Sequence, residues 1–291
     1  MIIRPLTSVD DFRQVYALEQ EVWGYTSAED SVPVPIMIVS AKTGGLLLGA
    51  FDDEGTLPAA PSGAAGPALE PAMVGFAYSL PGIKDGKPFH WSHMLAVVER
   101  HRNSGLGWQM KLEQRRLVMA AGLDLIEWTY DPLQALNAHL NFVKLGAIVR
   151  EYHLNVYGDS SSTLHRGTPT DRFIAEWWLR SDRVVERVAA AARHAARPGD
   201  LRGAAAVNRV VEGGAWAAPA DYDLTAEAPR LAVLIPMGFT EMQQHDLALA
   251  QAWRASTRAI FTTYLPRGYQ VEDFVLDRGR GLGTYLLSRP V

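Results

Sequence analysis

A short segment in the first half of the chain, residues 102–107, reads Arg-Asn-Ser-Gly-Leu-Gly and has the composition of an anion-binding turn. The apolar alternation at Leu95 and Val97 predicts a buried strand before it, and an amphipathic helix is predicted from Trp108 to Ala121. Glycine lets the backbone approach a ligand, and the first N–H groups of a helix lack an internal acceptor and lie at its positive end. With the charge of Arg102, the segment is predicted to bind a phosphorylated ligand. The alternative is an ordinary strand-to-helix turn.

Two better-known phosphate-binding patterns do not fit this segment. A dinucleotide-binding fold places G-x-G-x-x-G after its first strand, and a P-loop closes with Gly-Lys-Ser/Thr. Here the turn comes late, and Gly107 is followed by Trp108. The R-x-x-G-x-G pattern recurs at 278–283, but residues 284–287 favour a strand and not a helix. We therefore predict that this second copy is a hairpin turn.

A second motif lies downstream of the first. Residues 123–130 predict a strand, and residues 134–145 predict a helix that stops at Gly146. The helix contains the pattern A-x-x-x-F-x-K-x-G, formed by Ala138, Phe142, Lys144 and Gly146. The two motifs at this separation resemble the acyl-CoA loop, [Q/R]-x-x-G-x-[G/A], and the following CoA-arm helix of the GNAT acetyltransferase superfamily. The resemblance covers about the first 158 residues.

The resemblance implies an α/β fold of the α+β kind, in which helices flank a mixed, mostly antiparallel twisted sheet. Residues 1–180 are predicted to form an acyl-CoA-binding domain. Residues 181–291 are predicted to form a C-terminal α/β extension that acts as a lid, as part of the acceptor pocket or in dimerisation. At 291 residues the chain is longer than one such domain requires.

The predicted elements of the first half follow the GNAT order. Ser8 and Asp11 have the spacing of a helix capping box, so a helix is predicted from there to Gly24. The other predicted elements are a strand at 1–6, a helix at 35–42, strands at 45–51 and 73–80 joined by an exposed loop at 52–72, and a strand through 91–97.

The extension shows further periodic segments. Thr240 and Gln243 predict a capping box for one long helix that carries an apolar stripe ending at Tyr264. The remaining predictions are a strand at 172–179 that closes the GNAT sheet as its last member, a helix at 182–194, and strands at 231–235, 271–276 and 284–287.

The chemistry that the resemblance implies is direct transfer of an acyl group, by family default acetyl, from a CoA thioester to an amine. The family pattern implies that the backbone of Ala96 and Val97 binds the pantetheine arm and polarises the thioester. Asn137 and Asn141 lie four residues apart, so we expect them on one helix face toward the CoA arm. The predicted cofactor-binding residues are Ala96, Val97, Arg102, Asn103, Ser104, Gly105, Leu106, Gly107, Trp108, Asn137, Asn141, Phe142 and Lys144.

An attacking amine must be neutral, so a general base is needed near pH 7. Glu127 on the fifth predicted strand is the first candidate, since family bases often lie on the fourth or fifth strand. His93 is the second, because its ordinary pKa lies close to neutral pH. Glu99 is the third. The alternatives are a hydrogen-bonding carboxylate at Glu127 and a core histidine at His93.

The leaving thiolate is where the sequence departs from the family pattern. Many GNAT enzymes use a tyrosine at the position of Phe142 to protonate CoA, and phenylalanine has no proton to donate. Tyr130, His139 or Tyr152 would then serve as the acid, or solvent would. A protein that binds acyl-CoA without turnover is also compatible with Phe142.

Composition sets the outer limits. The net charge of −4 and pI near 6.1 argue against nucleic acid as a partner. The absence of long apolar runs argues against a membrane span. The lack of cysteine excludes thiolate chemistry and favours a cytoplasmic location. The scattered histidines predict no metal site. The aromatic content of residues 172–179 and of the long C-terminal helix favours a homodimer.

Three functions are compatible with these features. The first is an N-acyltransferase acting on a small-molecule amine or amino acid. The second is a catalytically inactive acyl-CoA-binding or regulatory module. The third is an acyltransferase acting on a protein or peptide amine.

Overall fold

The computed structural model describes residues 1–25, 30–52, 72–158 and 167–289. These residues form two compact units, and the boundary between them follows Ile126. The first unit contains, in chain order, β1 Ile2–Pro5, α1 Val9–Trp23, α2 Val34–Lys42, β2 Leu46–Asp52, β3 Ala72–Lys84, β4 Lys87–Val97 and α3 Leu106–Ala120.

Local sequence signals fix several of these elements. Ser8 accepts a hydrogen bond from the backbone of Asp11, and the Asp11 carboxylate accepts one from the backbone of Ser8, so the predicted capping box at the start of α1 is confirmed. Gly24 ends the helix in the left-handed conformation. The four strands of this unit lie in the order β1-β2-β3-β4, and each neighbouring pair is antiparallel.

Helices cover both faces of the β3-β4 pair. Trp23 of α1 packs edge-on against Phe76, so α1 lies on the face to which Phe76 belongs. Neighbouring residues of a strand point to opposite faces. On the other face, a Cβ added to Gly75 would lie 3.3 Å from the sulfur of Met110 in α3. Side chains on the two faces of this strand pair therefore contact different helices, α1 on one face and α3 on the other.

The second unit contains more strands than the sequence predicted. Its elements are β5 Leu125–Tyr130, which spans the boundary, α4 Ala135–Ala138, β6 Ile148–His153, β7 Arg172–Trp178, α5 Asp182–Ala192, β8 Ala205–Ala206, β9 Asn208–Val211, β10 Ala218–Tyr222, β11 Arg230–Pro236, α6 Phe239–His245, α7 Leu247–Tyr264, β12 Gln270–Asp277 and β13 Leu282–Ser288. The short strands β8, β9 and β10 were not predicted, because they lack a clear alternation of apolar residues.

The strands of the second unit lie in the order β5-β7-β6-β12-β13-β11-β8, and β9 and β10 pair separately. The prediction that β7 closes the sheet is wrong, because β12 of the extension pairs with β6 and carries the sheet onward. The β6-β7, β12-β13 and β11-β13 pairs are antiparallel, and β11-β8 is parallel. The fold class is therefore α/β with mostly antiparallel strands and flanking helices, as predicted.

Three predictions for the extension have clear outcomes. The capping box of Thr240 and Gln243 is wrong, since α6 begins after Gly238 and no side chain caps it. The predicted long helix is in fact two, because Asp246 leaves the helical conformation and its side chain caps α7. The second R-x-x-G-x-G copy does form a turn between the antiparallel strands β12 and β13.

The predicted loop at 52–72 falls, apart from its two end residues, outside the described residues. Among the helices that the structure does describe, none has the length and apolar character needed to cross a membrane.

Candidate functional site

The predicted anion-binding turn lies between β4 and α3. A single turn of 3-10 helix, Glu99–His101, follows β4 and directs the chain into the loop. Asn103 and Gly105 both have positive φ angles, 61° and 89°. The helix begins at Leu106, two residues earlier than Trp108, where the sequence predicted its start. Gly105 is thus the N-cap residue, and the helix starts without a side chain at its cap.

This cap leaves backbone donors available. Among the described residues, none accepts a hydrogen bond from the N–H of Gly105, Gly107 or Trp108. Ser104 donates to the His101 carbonyl (2.7 Å) and lies 3.4 Å from the Leu106 nitrogen. A Cβ added to Gly105 would meet no atom within 4 Å, so the space in front of these N–H groups is open. Such an arrangement suits an anion.

Two side chains add to the donor character of the loop. The Arg102 Nε donates to the Val97 carbonyl at 3.2 Å, which lays the guanidinium beside the end of β4. Among the described residues, no acceptor pairs with the terminal nitrogens of Arg102. The indole N–H of Trp108 is buried and likewise has no acceptor in the described part of the chain. The charge of Arg102 thus adds to the unpaired backbone donors of the loop, whereas the Trp108 donor is closed off from solvent.

The register of β4 distinguishes the two residues predicted to bind the pantetheine arm. Val98 donates to the Val74 carbonyl, Ala96 pairs with Phe76, and Val97 pairs with Gly75. In an antiparallel ladder the backbone groups of successive residues point to alternate sides. The N–H and C=O of Ala96 thus point toward β3, and those of Val97 point away from it. Of the two, only Val97 directs its amide away from β3.

A β-bulge in β4 positions His93. Tyr78 pairs with Met94 and Ser79 with Ser92, so His93 has no residue opposite it. Ser92 contacts α3, and Leu95 lies under Gly107 of α3, so the usual alternation is broken between them. His93 consequently lies on the α1 face, where its ring meets the Tyr78 ring edge-on at 5.8 Å. The His93 side chain is exposed, but surrounding protein lowers its pKa, which favours the neutral ring at pH 7.

A polar cluster that the sequence analysis did not identify lies beside His93. The Tyr78 and Ser40 hydroxyls are 2.6 Å apart, and Ser40 donates to the Ile36 carbonyl at 2.8 Å. Glu19 of α1 is completely buried, and burial raises its pKa to about 7. Burial raises the pKa of Tyr78, the hydrogen bond with Ser40 partly opposes this rise, and the charge of Glu19 adds to it.

A second buried polar cluster lies on the opposite face, under α3. The Lys111 Nζ donates to Ser92 (2.9 Å) and Gln114 (3.2 Å), and burial lowers the pKa of Lys111 to about 7. Ser79 and the Nδ1 of His90 are 3.0 Å apart, and burial lowers the pKa of His90. The sequence analysis did not identify this cluster, because its hydrogen bonds join residues of different elements.

Apart from Glu99, which follows β4 in the first unit, the other predicted acid and base residues belong to the second unit. Glu127 of β5 is buried. Tyr130 is buried in an aromatic cluster, with its hydroxyl 3.5 Å from that of Tyr285. Burial raises the pKa of Tyr130 well above its ordinary value, so this hydroxyl holds its proton tightly.

The CoA-arm helix has an irregular form. Residues Ala135–Ala138 are α-helical, but His139–Lys144 form a π-helix. Asn137 is exposed and Asn141 is buried, so the two asparagines have different surroundings, and their contact with a CoA arm stays a prediction. The Asn141 Nδ2 is a buried donor with no acceptor among the described residues. Phe142 is fully buried, 5.8 Å from the Tyr285 ring, and Lys144 is half-buried.

Two ion pairs hold α7 within the second unit, and no local sequence motif predicts them. Arg254 forms two bonds with the carboxylate of Asp131 (2.8 and 2.5 Å), across 123 positions of sequence. Arg258 binds Asp171 in the same manner (2.8 and 2.7 Å), and Tyr152 donates to Asp171 at 2.6 Å. Within the described ranges, no three histidine, aspartate or glutamate side chains come together as metal ligands.

No protein-family model matches the chain, and no curated protein matches it in sequence. Solved structures do show similarity. An acetyltransferase of the GNAT family from Streptococcus pneumoniae is 15% identical with a TM-score of 0.44, over 60% of this chain and 97% of that one. The ribosomal-protein-S18-alanine N-acetyltransferase from Escherichia coli is 14% identical with a TM-score of 0.43, over 62% of this chain and 94% of that one. Aminoglycoside 6'-acetyltransferase type Ii is 18% identical with a TM-score of 0.43, over 62% of this chain and 99% of that one. The solved structures that this chain resembles thus include acetyltransferases of the GNAT family.

Proposed function

We propose that this protein is an acyl-CoA-dependent N-acyltransferase that uses acetyl-CoA as the acyl donor and a small-molecule primary amine as the acceptor. The observation that carries the proposal is the loop from Arg102 to Gly107. It combines unpaired backbone donors, an arginine and open space at the start of a 15-residue helix. These are the features that a pyrophosphate needs, and the sequence pattern of the loop resembles that of acyl-CoA-binding proteins.

The strand that leads into the loop supplies the rest of the site. Val97 directs its backbone away from β3 at the end of β4, and His93 lies four residues earlier, roughly 13 Å along an extended strand. A CoA molecule bound by its pyrophosphate at the loop would extend its pantetheine arm along this strand, with its thioester toward His93. Acetyl-CoA supplies the activated acyl group.

In the proposed reaction the amine nitrogen bonds to the acyl carbon, the carbon–sulfur bond breaks, and CoA leaves as a thiolate. We assign the proton of the amine to His93, because His93 is exposed and neutral at pH 7 whereas Glu127 is buried. Tyr130 holds its proton too tightly to be an efficient donor. With an ordinary thiol pKa near ~8.5, the leaving group does not need a dedicated acid.

Phe142 favours a second candidate function. Its ring is fully buried against Tyr285, so the position that carries the family acid is part of the core here. A protein that binds acyl-CoA without turnover would have the same loop and no need for an acid. An acyltransferase for protein amines stays an alternative, and the homodimer and the cytoplasmic location stay predictions.

Calorimetric titration of acetyl-CoA tests the binding step. We expect wild-type binding in the micromolar range, and loss of binding in Gly105→Asp, which places a carboxylate in front of the free N–H groups. Gly122→Asp is the matched control. Gly122 also has a positive φ (82° against 89°) and open space at its Cβ, but it follows the other end of α3. Equal affinity in the two variants would place the ligand elsewhere.

Thiol release tests the transfer step. The chain contains no cysteine, so a thiol-reactive dye reports only the CoA that is released. We expect release that depends on an added amine and is reduced in His93→Gln by about 10²-fold or more. Binding without release for any amine of a broad panel would favour the acyl-CoA-binding module over the enzyme.

A further inference from the structure

A surface cavity lies at the C-terminal end of α5, and all of its lining residues belong to the second unit. Its volume is about 380 Å³, within the range of roughly 300–1,000 Å³ that is usual for small-molecule sites. Arg187, Arg193 and Arg197 line it together with Glu186 and the short side chains of two alanines and one proline. None of the lining residues is buried, so the cavity opens to solvent and a ligand can enter it.

One of the three arginines holds the wall of the cavity in place. The Nη1 of Arg187 donates to the Arg197 carbonyl at 2.5 Å, and its Nη2 bonds to the carboxylate of Asp273 in β12. Asp273 is buried, so Arg187 serves as its counter-charge. A Cβ added to Gly199 would lie 2.7 Å from the Asp273 side chain, so the loop backbone packs directly against the same residue. The loop that carries Arg197 is thus fixed before any ligand binds.

The other two arginines have no such structural role. Arg193 and Arg197 are exposed, and among the described residues neither guanidinium has an acceptor. Arginine side chains near the end of a helix often bond its last carbonyls. Here the backbone N–H groups of residues 193–195 already donate to the carbonyls of residues 189–191. The end of the helix therefore does not account for these two charges.

Charge and shape define which ligand the cavity suits. Because Asp273 neutralises Arg187, the charges left on the wall are those of Arg193, Arg197 and Glu186, and the positive charge is in excess. A guanidinium has only donors, and its planar fork matches the two oxygens of a carboxylate or a phosphate. The alanine and proline side chains leave room for a short hydrocarbon group and offer it an apolar contact.

We infer that this cavity binds a small organic oxyanion, a phosphate ester or a carboxylate, through Arg193 and Arg197. The fixed loop lowers the cost of binding, because only the two side chains have to be ordered. Glu186 lies on the same wall and repels an anion, so it limits the affinity. None of these residues belongs to the loop at 102–107, and the inference does not depend on acyl transfer.

The test is calorimetric titration of the full-length protein at low ionic strength with butyl phosphate and with butanoate, and 1-butanol is the uncharged match. Arg193→Gln and Arg197→Gln should each weaken binding of the anions about tenfold or more, because each removes a charge-assisted contact. Arg278→Gln is the matched control, since Arg278 is an exposed arginine of the same unit that does not line the cavity. Glu186→Gln should strengthen binding about two- to fivefold, because it removes the repulsion.

Gly105→Asp separates this cavity from the loop at 102–107. Anion binding that persists in Gly105→Asp supports the inference, and anion binding that is lost there overturns it by assigning the anion to the loop. The inference is also wrong if neither anion binds, if 1-butanol binds as well as they do, or if Arg278→Gln weakens binding as much as the two cavity variants. Whichever of butyl phosphate and butanoate binds more tightly identifies the charged group of the ligand. Failure of acetyl-CoA to bind would overturn the proposed function and leave this inference intact.

Discussion

The substitution Glu19→Gln should make the protein more stable at alkaline pH, because it removes a buried charge that has no counter-charge. Glutamine has nearly the same shape and can still accept the hydrogen bond from the Val32 backbone. At acid pH the wild-type carboxyl is protonated and resembles the amide. At alkaline pH the wild-type protein must bury a carboxylate, and the variant does not.

The magnitude follows from the pKa of Glu19 in the folded state, about 7, and its ordinary value of 4.5. Each pKa unit corresponds to about 1.4 kcal/mol, so ionisation costs the folded state about 3 kcal/mol. The folded state binds the proton more tightly, so the stabilisation from the protonated carboxyl is complete below pH 4.5 and is lost as pH rises through 7. The variant should therefore equal the wild type near pH 4.5 and exceed it by about 3 kcal/mol at pH 8.5.

Urea denaturation at several pH values between 4.5 and 8.5 measures this difference, with Glu21→Gln as the exposed control. The stability difference between Glu19→Gln and wild type should grow with pH, and that of Glu21→Gln should stay nearly constant. A difference that does not depend on pH would refute the argument, because it would show that Glu19 is not a buried group with a raised pKa.

Three further substitutions test other parts of the molecule. Arg254→Met should destabilise the protein by about 3–5 kcal/mol in urea denaturation, because the carboxylate of Asp131 stays buried and loses its main partner. Phe142→Tyr should cost about 1–3 kcal/mol of stability without accelerating thiol release, since the added hydroxyl enters a packed contact with Tyr285. Arg102→Gln should weaken acetyl-CoA binding about tenfold in calorimetry, and the loss should shrink at high salt; a loss that is equal at all salt concentrations would argue against a charge contact.

Local signals in the sequence were sufficient for most of the elements of the first unit. Ser8 and Asp11 cap α1 as predicted, because a capping box depends only on residues three apart. The loop at 102–107 was located by its glycines, since positive φ angles and an open approach are properties of short segments. The start of α3 was placed two residues late, because Leu106 is apolar and gives no boundary signal.

Residues whose roles depend on distant parts of the chain could not be found in this way. The bulge at His93 arises from the register between β3 and β4, and a one-residue shift changes which face a side chain occupies. The pairs of Arg254 with Asp131 and of Arg258 with Asp171 join residues 123 and 87 positions apart. The π-helix at 139–144 also has no signal in residue spacing.

The sequence by itself determined the glycine-containing turn at 102–107, the order of the first elements and the absence of cysteine, because each is a property of residue types at short separations. Tertiary structure decided which candidate base is accessible and which carboxyl lacks a counter-charge. Burial and pairing are set by residues that folding brings together, so Glu19 resembles any helical glutamate in the sequence. Only burial in the folded chain gives it a raised pKa and leaves one of its oxygens unpaired among the described residues.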